Sequence, residues 1–337
     1  MPDMTQTEDS HALQQRAGQL AEKVDALKSE LSSRVIGQEQ LIEDLLVALF
    51  AGGHALLEGL PGLGKTLLVK SLAHGLGVEF GRIQFTPDLM PSDVIGTRII
   101  DERSSGLEFR FERGPVFTNL LLADEINRTT PRTQSALLEA MQEGRVTFGD
   151  TSHELPRPFC VVATQNPIEL EGTYPLPEAQ LDRFLFKLVV EAPGVDHMIE
   201  ILDATTAAPP AEPKVQLDAR DVVEIQSIAR SVLCGRHLLR FVAELLQATQ
   251  PHAKADEETR RFVRYGASPR AGQAIVLAAK VRALLDGRPS VAREDLDASL
   301  LPALRHRVVL TFDAESEGRS VESLVSGWVH TAERSTK

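Results

Sequence analysis

The chain has 337 residues, of which 42% are hydrophobic and 25% charged, a balance typical of folded domains rather than of disordered or fibrous chains. Its formal charge of -12 argues against a protein whose main partner is the nucleic-acid backbone, because that affinity comes from clustered Lys and Arg. No apolar run is long enough to cross a bilayer, and residues 1–10 do not resemble an export signal, so we expect a cytoplasmic protein. Cys160 and Cys234 lie in apolar stretches without zinc-binding spacing.

The first predicted element is an amphipathic helix near the N-terminus. Its apolar or small residues recur at steps of three and four, at Leu13, Ala17, Leu20, Val24, Leu27 and Leu31. This spacing also suits a coiled-coil seam, but the pattern is short, which favours packing against the body of the same chain or a neighbouring subunit. A second helix is predicted over residues 39–50.

A glycine-rich segment follows the short apolar strand predicted at residues 55–57 and precedes an apolar-periodic helix over residues 65–76. Its sequence, GLPGLGKT at residues 59–66, fits the phosphate-loop pattern of Gly, four residues, Gly-Lys-Ser/Thr. The glycines allow backbone N–H groups to approach phosphate oxygens beside the positive end of the helix. Lys65 should neutralise the β- and γ-phosphates, and the Thr66 hydroxyl should bind Mg²⁺. The segment predicts binding of a nucleoside triphosphate.

Strands and helices alternate from the phosphate loop to residue 191. Strands are predicted at residues 79–85, 119–123, 159–163 and 186–191, and helices at residues 131–142 and 178–184. The run at 119–123 is continuously apolar, which is typical of parallel strands buried on both faces. The alternation predicts an α/β domain whose parallel sheet is covered by helices on both faces.

Two hairpins are predicted within the same region. The first pairs residues 97–101 with 107–113, and the second pairs residues 145–148 with 153–156 around Gly149 and Asp150. The positive and negative charges cancel in each hairpin. A hairpin that grips nucleic acid would normally be net positive.

Pro193 and Gly194 mark a domain boundary. Beyond them the sequence predicts a helix at 195–204, a Pro-rich link at 209–213, and helices at 218–232, 237–249, 269–285, 293–300 and 320–330. We therefore predict three parts: an N-terminal helix (1–33), an α/β nucleotide-binding core (34–193) and a small all-α lid domain (194–337).

Polar residues follow two of the predicted strands. Asp124 and Glu125 end one strand, where one carboxylate could hold Mg²⁺ and the other could polarise a water aimed at the γ-phosphate. The alternative is that they only begin a turn. Asn166 follows the next strand and could orient the attacking water or form an Asx-turn before Pro167.

Two arginines are further candidates. Arg183 could be a surface residue, a salt-bridge partner of Asp182, or an arginine finger that reaches the γ-phosphate of a neighbouring subunit. Arg270 follows a Ser-Pro helix start and could be a first-turn surface residue. A positive charge near a helix N-terminus is mildly unfavourable, however, which suggests an anionic partner.

Six segments in combination resemble the MoxR family of AAA+ ATPases. They are GLPGLGKT (59–66), LADEINR (122–128), QSALLEAM (134–141), ATQNP (163–167), EAQLDRF (178–184) and GASPRA (266–271). The resemblance extends from about Val35 to about Leu310 and implies an AAA+ core with a helical lid, ATP as the nucleotide, and Mg²⁺.

The resemblance implies roles for single residues. Asp124 and Glu125 correspond to the Walker B pair, Asn166 to sensor 1, Arg183 to the arginine finger and Arg270 to the sensor-2 arginine of the lid. Val35 and Ile36 would line the adenine pocket. The implied nucleotide-binding residues are Gly59, Pro61, Gly62, Leu63, Gly64, Lys65, Thr66, Leu67 and Asp124, with Thr66 and Asp124 facing the metal.

The family also implies partners. Its members are chaperone-like ATPases that remodel, mature or assemble other proteins, often with von Willebrand factor A domain partners, and a hexameric ring with both hairpins facing the pore is expected. Arg128 and Arg132 also lie near the expected subunit interface, so the arginine that acts in trans stays open. Two alternatives remain: a nucleic-acid-stimulated motor of the helicase type, and a nucleotide-gated scaffold or metal-chelatase motor subunit.

Overall fold

The computed structural model describes residues 4–103, 106–167, 172–206 and 214–336. The strands in these ranges are β1 (Ala55–Glu58), β2 (Phe80–Gln84), β3 (Gly96–Arg103), β4 (Gly106–Arg113), β5 (Leu120–Asp124), β6 (Arg145–Phe148), β7 (Thr151–Glu154), β8 (Cys160–Gln165), β9 (Phe186–Val189), β10 (Val263–Tyr265) and β11 (Val309–Leu310). The helices there are α1 (Met4–Arg34), α2 (Glu39–Phe50), α3 (Lys65–Gly75), α4 (Pro91–Ile95), α5 (Pro131–Glu143), α6 (Glu178–Leu181), α7 (Val195–Thr206), α8 (Ala219–Ser231), α9 (Arg236–Ala248), α10 (Glu257–Phe262), α11 (Pro269–Leu285), α12 (Arg293–Leu304), α13 (Phe312–Ser316) and α14 (Val321–Thr336).

The core is a five-stranded parallel sheet with the strand order β2-β5-β8-β1-β9. Every residue of β5 is buried, as its apolar run predicted. The carboxyl ends of the strands share one edge, because Glu58 pairs with Gln165 and Gln84 pairs with Asp124. Loops that follow the strands therefore meet at this edge, where ligands bind in open α/β sheets.

Both faces of the sheet are covered. On β1, Leu57 packs in the cluster that includes α1, α2 and α3, whereas Leu56 packs in the opposite cluster with Leu137 and Leu138 of α5. Alternate residues of one strand thus reach two different helical layers. The predicted α/β core with helices on both faces is confirmed.

Helix α1 packs against the body of its own chain. Its apolar stripe, Leu20, Val24, Leu27 and Leu31, is at most 2% exposed and belongs to the main core cluster. Gly75 permits this contact, because a Cβ atom there would lie 2.3 Å from Cδ1 of Leu27. The sequence left open whether this helix packs against its own chain or against a neighbouring subunit, and the structure shows packing against its own chain. The side chain of Leu13 lies outside the described residues.

The polar side of α1 is tied to α8. Arg16 donates to Asp221 at 2.8 Å and to Glu224 at 2.8 Å, and Lys23 donates to Asp221 at 2.7 Å. The first two turns of α8 therefore hold the helix that precedes the α/β core. The predicted division of the chain into three parts stays a prediction.

The C-terminal part is helical, as predicted, but it also contains two short helices, α10 and α13, and a small sheet that were not predicted. β10 and β11 form a two-stranded antiparallel sheet, which the sequence analysis missed because strands of three and two residues carry no periodic pattern. The predicted Pro-rich link at 209–213 lies outside the described residues. In the described part of the chain, no helix combines the length and apolar character needed to span a membrane.

Both predicted hairpins are present, as β3–β4 and β6–β7, and they contact each other. The rings of Phe111 and His153 stack with their centroids 4.4 Å apart, and Phe148 lies 5.3 Å from Phe111. In the second hairpin, Phe148 pairs with Thr151, so β7 starts two residues earlier than predicted, directly after the Gly149-Asp150 turn. Side chains of residues 101–109, including several charges counted above, lie outside the described residues.

The buried His54 makes folding stability sensitive to acid. Its Nδ1 accepts from the Val161 amide at 3.0 Å, and its Nε2 donates to the Met141 carbonyl at 3.1 Å, so the neutral ring uses both nitrogens. Burial lowers the pKa of His54 from 6.5 to about 4. As pH falls through this window the unfolded chain takes up a proton that the folded chain does not, so stability declines by about 1.4 kcal/mol per pH unit.

We expect the free energy of unfolding, measured by urea titration between about pH 7 and pH 5, to fall less steeply in His54→Gln than in the unaltered protein. The slope should differ by about one bound proton. His252→Gln, at an exposed position, is the control and should keep the original slope. Equal slopes for His54→Gln and the unaltered protein would show that His54 is not the group responsible.

Candidate active site

The phosphate loop, residues 59–66, joins the carboxyl end of β1 to α3. Gly62 and Gly64 have φ values of 84° and 75°, in the left-handed region that favours glycine, and Gly64 directly precedes the first residue of α3. These two positions let the chain turn so that the amides at the start of α3 face the loop's concave side. The predicted strand–loop–helix context is therefore present.

Lys65 is folded back onto its own loop. Its Nζ donates to the Gly59 carbonyl at 2.5 Å and to the Leu60 carbonyl at 3.0 Å. Burial lowers the pKa of the Lys65 ammonium, while the negative charges of Asp124 and Glu125 oppose that shift. The ammonium is thus held by two neutral acceptors within reach of the two carboxylates.

Asp124 is the last residue of β5 and is buried. One of its oxygens accepts from the Thr164 hydroxyl at 2.7 Å, and the other accepts from Nη2 of Arg82 at 2.8 Å. Thr164 also accepts from the Glu125 amide at 2.8 Å, so one hydroxyl on β8 fixes the backbone and side chain of this pair. The carboxylate faces the loop with both oxygens engaged.

Glu125 adopts a left-handed backbone, with φ 57° and ψ 50°, the one non-glycine residue at positive φ in the ranges described. Backbone in this region costs free energy and persists where the surrounding structure enforces it, often at functional sites. Its Oε2 accepts from Nε2 of Gln84 at 2.9 Å and from Nη1 of Arg128 at 3.0 Å. These contacts hold the carboxylate beside the phosphate loop.

A cavity of about 350 Å³ brings the predicted residues together. Asn166, buried directly after β8, is one of the residues that line it. The lining is completed by Pro61, Gly62, Gly64, Lys65, Thr66, Leu67, Arg82, Gln84, Asp124 and Glu125. The donor set suits a magnesium nucleotide, since hydroxyl and carboxylate oxygens are the ligands that Mg²⁺ prefers and Lys65 and the loop amides suit phosphate.

Sequence reasoning missed Arg82 and Gln84. Both lie on β2, two residues apart and so on the same face of the strand, and the pairing of Gln84 with Asp124 carries them to the cavity. The available signal was two polar residues flanking Ile83 near the carboxyl end of a strand. These two residues identify the side of β2 that lines the cavity only when it is known that β2 lies beside β5.

The predicted adenine-pocket residues are not among those that line this cavity. Val35 follows α1 and is buried in the main core cluster, and Ile36 is partly buried. Neither lines the cavity of the phosphate loop. The Cβ position of Gly37 is 2.4 Å from Nδ1 of His197, so α7 lies against this turn. The adenine-binding role of Val35 and Ile36 stays a prediction.

Arg183 and Arg270 line a different recess, of about 270 Å³, which no residue of the phosphate loop lines. Arg183 follows α6, which ends at Leu181 instead of the predicted Phe184. Arg270 lies in the first turn of α11, with its Nη1 3.6 Å from Oδ2 of Asp182. The structure thus brings these two arginines together and separates them from the Asp124–Glu125 pair.

Comparison with known proteins agrees with this architecture. Residues 54–186 match the ATPase family associated with various cellular activities (AAA), and residues 255–327 match the AAA lid domain. Chaperone MoxR1 of Mycobacterium tuberculosis (strain ATCC 25618 / H37Rv) is 45% identical over 303 residues, covering 90% of this chain and 80% of that protein. Protein MoxR of Paracoccus denitrificans is 32% identical over 308 residues, covering 84% of this chain and 88% of that protein.

A solved structure shares the fold over nearly the whole chain. The crystal structure at 2.00 Å of a protein provisionally assigned as an ATPase, from Cytophaga hutchinsonii ATCC 33406, superposes with a TM-score of 0.89 and 39% identity. The match covers 96% of this chain and 98% of that one. The chain has the phosphate loop and the carboxylates at the end of β5, and relatives named MoxR1 and MoxR are 45% and 32% identical to it over most of its length. It therefore belongs to the MoxR family of AAA+ ATPases.

Proposed function

We propose that this protein hydrolyses ATP with Mg²⁺ in an oligomeric ring and uses the energy to remodel, mature or assemble partner proteins. The observation that carries the proposal is the division of the hydrolytic residues between two sites on one chain. Lys65, Asp124 and Glu125 line one cavity, whereas Arg183 and Arg270 line another. A complete site then requires the arginines of a neighbouring subunit.

In the phosphate-loop cavity each residue has a separate task. Lys65 neutralises phosphate charge, and Thr66 and Asp124 hold the metal, which when bound supplies charge stabilisation to the transferred phosphoryl group. Glu125 polarises the attacking water, and Asn166 orients it. Gln84 and Arg128 both donate to Oε2 of Glu125, so the carboxylate can take up the proton of the water on its other oxygen while these bonds hold it in place.

In the second recess Arg183 and Arg270 stabilise charge on the nucleotide of the next subunit. Arg183 serves as the finger in trans, and Arg270 carries the state of that nucleotide to the lid from which it projects. Arg128 is the less suitable candidate for action in trans, because it donates to Glu125 of its own chain. The proposal therefore selects Arg183 as the finger.

The partners follow from the same assembly. The relative from Mycobacterium tuberculosis is named a chaperone, and we propose a protein client for this chain, reached through a hexameric ring and aided by a von Willebrand factor A domain protein. The two hairpins of one subunit contact each other, so they would present one continuous surface in such a ring. A cytoplasmic location stays a prediction from the sequence.

Phosphate release and particle mass test the proposal together. Purified protein should release phosphate from ATP with Mg²⁺, release much less when EDTA is added, and show a larger mass by light scattering with ATP than without nucleotide. Addition of DNA or RNA should leave the rate unchanged. A protein that stays monomeric with ATP and releases no phosphate would refute the proposal, and strong stimulation by DNA or RNA would favour the helicase-type alternative.

A further inference from the structure

The segment that carries Arg183 is held by the lid through one buried side chain. Arg307 follows α12, and its Nη1 donates to the Leu185 carbonyl at 2.9 Å. Its Nη2 donates to the Phe184 carbonyl at 2.6 Å and to the Asp182 carbonyl at 3.3 Å. The lid therefore bonds the backbone on both sides of Arg183.

Asp182 is the second half of this junction. Its carboxylate accepts from Nε of Arg307 at 2.7 Å and from the Ser268 hydroxyl at 3.1 Å, and it forms an ion pair with Arg270 at 3.6 Å. Ser268 caps α11 by accepting from the amide of Arg270. One carboxylate thus joins three elements: the loop with Arg183, the start of α11 with Arg270, and the end of α12 with Arg307.

The charges in this recess explain why the carboxylate matters. Arg183, Arg270 and Arg307 all line it, and Asp182 is the acidic residue among the lining residues. Asp182 neutralises the buried Arg307 and attracts Arg270, which leaves the recess net positive and suited to a phosphate group. Without the carboxylate, the guanidinium groups would repel one another in partly desolvated surroundings.

We propose that Asp182 is a positioning residue for trans catalysis: it sets Arg183 and Arg270 at fixed places in one recess, so that both meet the triphosphate of the neighbouring subunit together. Because the carboxylate also bonds the lid through Ser268 and Arg307, a shift of the lid moves both arginines as one unit. This inference rests on the proposed function, in which those arginines act on the next subunit.

Asp182→Asn keeps the size of the side chain and removes its charge. We expect it to lower kcat for ATP by about 10²-fold, the loss typical of a catalytic group misplaced by about 1 Å. The KM for ATP should stay within about twofold, because the phosphate loop of the same subunit binds the nucleotide and is untouched. The decisive readout is subunit mixing: Asp182→Asn with Glu125→Gln should show more turnover than the two separately, since Glu125→Gln subunits supply intact arginines.

Two further variants separate positioning from simple stabilisation. Asp182→Glu retains the charge that Arg307 requires but moves the carboxylate by one methylene, so it should unfold at the same temperature as the unaltered protein and still lose kcat. Glu322→Gln breaks a different ion pair, with Arg305, which lines a different recess, and should leave turnover unchanged. Both are measured with the full chain.

The outcomes are distinguishable when Arg183→Ala is mixed with Glu125→Gln in the same series. If that pair is rescued and the Asp182→Asn pair is not, the positioning role of Asp182 is wrong while the proposed function stands. Wild-type kcat in Asp182→Asn also overturns the positioning role. If Arg183→Ala is not rescued either, action in trans fails, and the inference fails with it.

Discussion

Glu125→Gln should reduce ATP turnover by about 10²- to 10⁴-fold, the usual contribution of a general base, while the protein still binds ATP. The amide has the size of the carboxylate and keeps an acceptor for Gln84 and Arg128, so the cavity should keep its shape. It cannot accept a proton from water, and this loss is confined to the chemical step. Single-turnover phosphate release and titration with a fluorescent ATP analogue measure the two effects separately.

Glu79→Gln is the matched control. Glu79 is exposed and precedes β2 at the end of the strand opposite Gln84, so the same chemical change there should leave turnover unchanged. Undiminished turnover in Glu125→Gln would refute the assignment of Glu125 as the group that polarises water. If the inactive variant still binds ATP and still assembles, it also serves as a trap, and its bound client can be identified by mass spectrometry.

Arg183→Ala should lower turnover by about 10³- to 10⁵-fold, the range measured for arginine fingers. Arg183 lines a recess that no residue of its own phosphate loop lines, so we expect its guanidinium to act on the triphosphate of the neighbouring subunit. The alanine variant removes that positive charge. Mixing Arg183→Ala with Glu125→Gln subunits should restore part of the rate, because an intact Glu125 and an intact Arg183 can then meet at one interface. Turnover per subunit as a function of mixing ratio is the measurement.

Arg132→Ala is the informative comparison, since Arg132 is exposed on α5 and was the other open candidate for action in trans. We expect it to retain most of its turnover. If Arg132→Ala is inactive and rescued by mixing, while Arg183→Ala is active, the finger belongs to Arg132. Absence of rescue for every arginine variant would argue that hydrolysis is completed within one chain.

Much of the fold could be predicted because its signals are local. The buried run of β5 and the strand–loop–helix context of residues 59–66 each identify an element without reference to the rest of the chain. Convergence of Asp124, Glu125 and Asn166 on the loop was also predictable, since parallel strands place their carboxyl ends at one edge. The structure brings these residues into one cavity.

What escaped prediction depends on contacts between distant segments. The pairing of β2 with β5 places Arg82 beside Asp124, and no local pattern in the sequence states which strands are neighbours. The segment after α6 is held by Arg307, 125 residues from Asp182, and no local pattern in the sequence predicts that contact. The three-residue strand β10 is identified by its pairing with β11, because so short a run shows no periodic pattern.

The bond between Arg82 and Asp124 has a consequence for the working cycle. The Arg82 guanidinium already neutralises the Asp124 carboxylate that the metal would approach. Metal binding would therefore replace one cation by another at Asp124. The Arg82 side chain is 46% exposed and can swing outward when a cation replaces it, because the Asp124 side chain that it leaves is only 12% exposed. Its return after hydrolysis would compete with the departing metal for Asp124, so that the metal would bind less tightly and leave sooner.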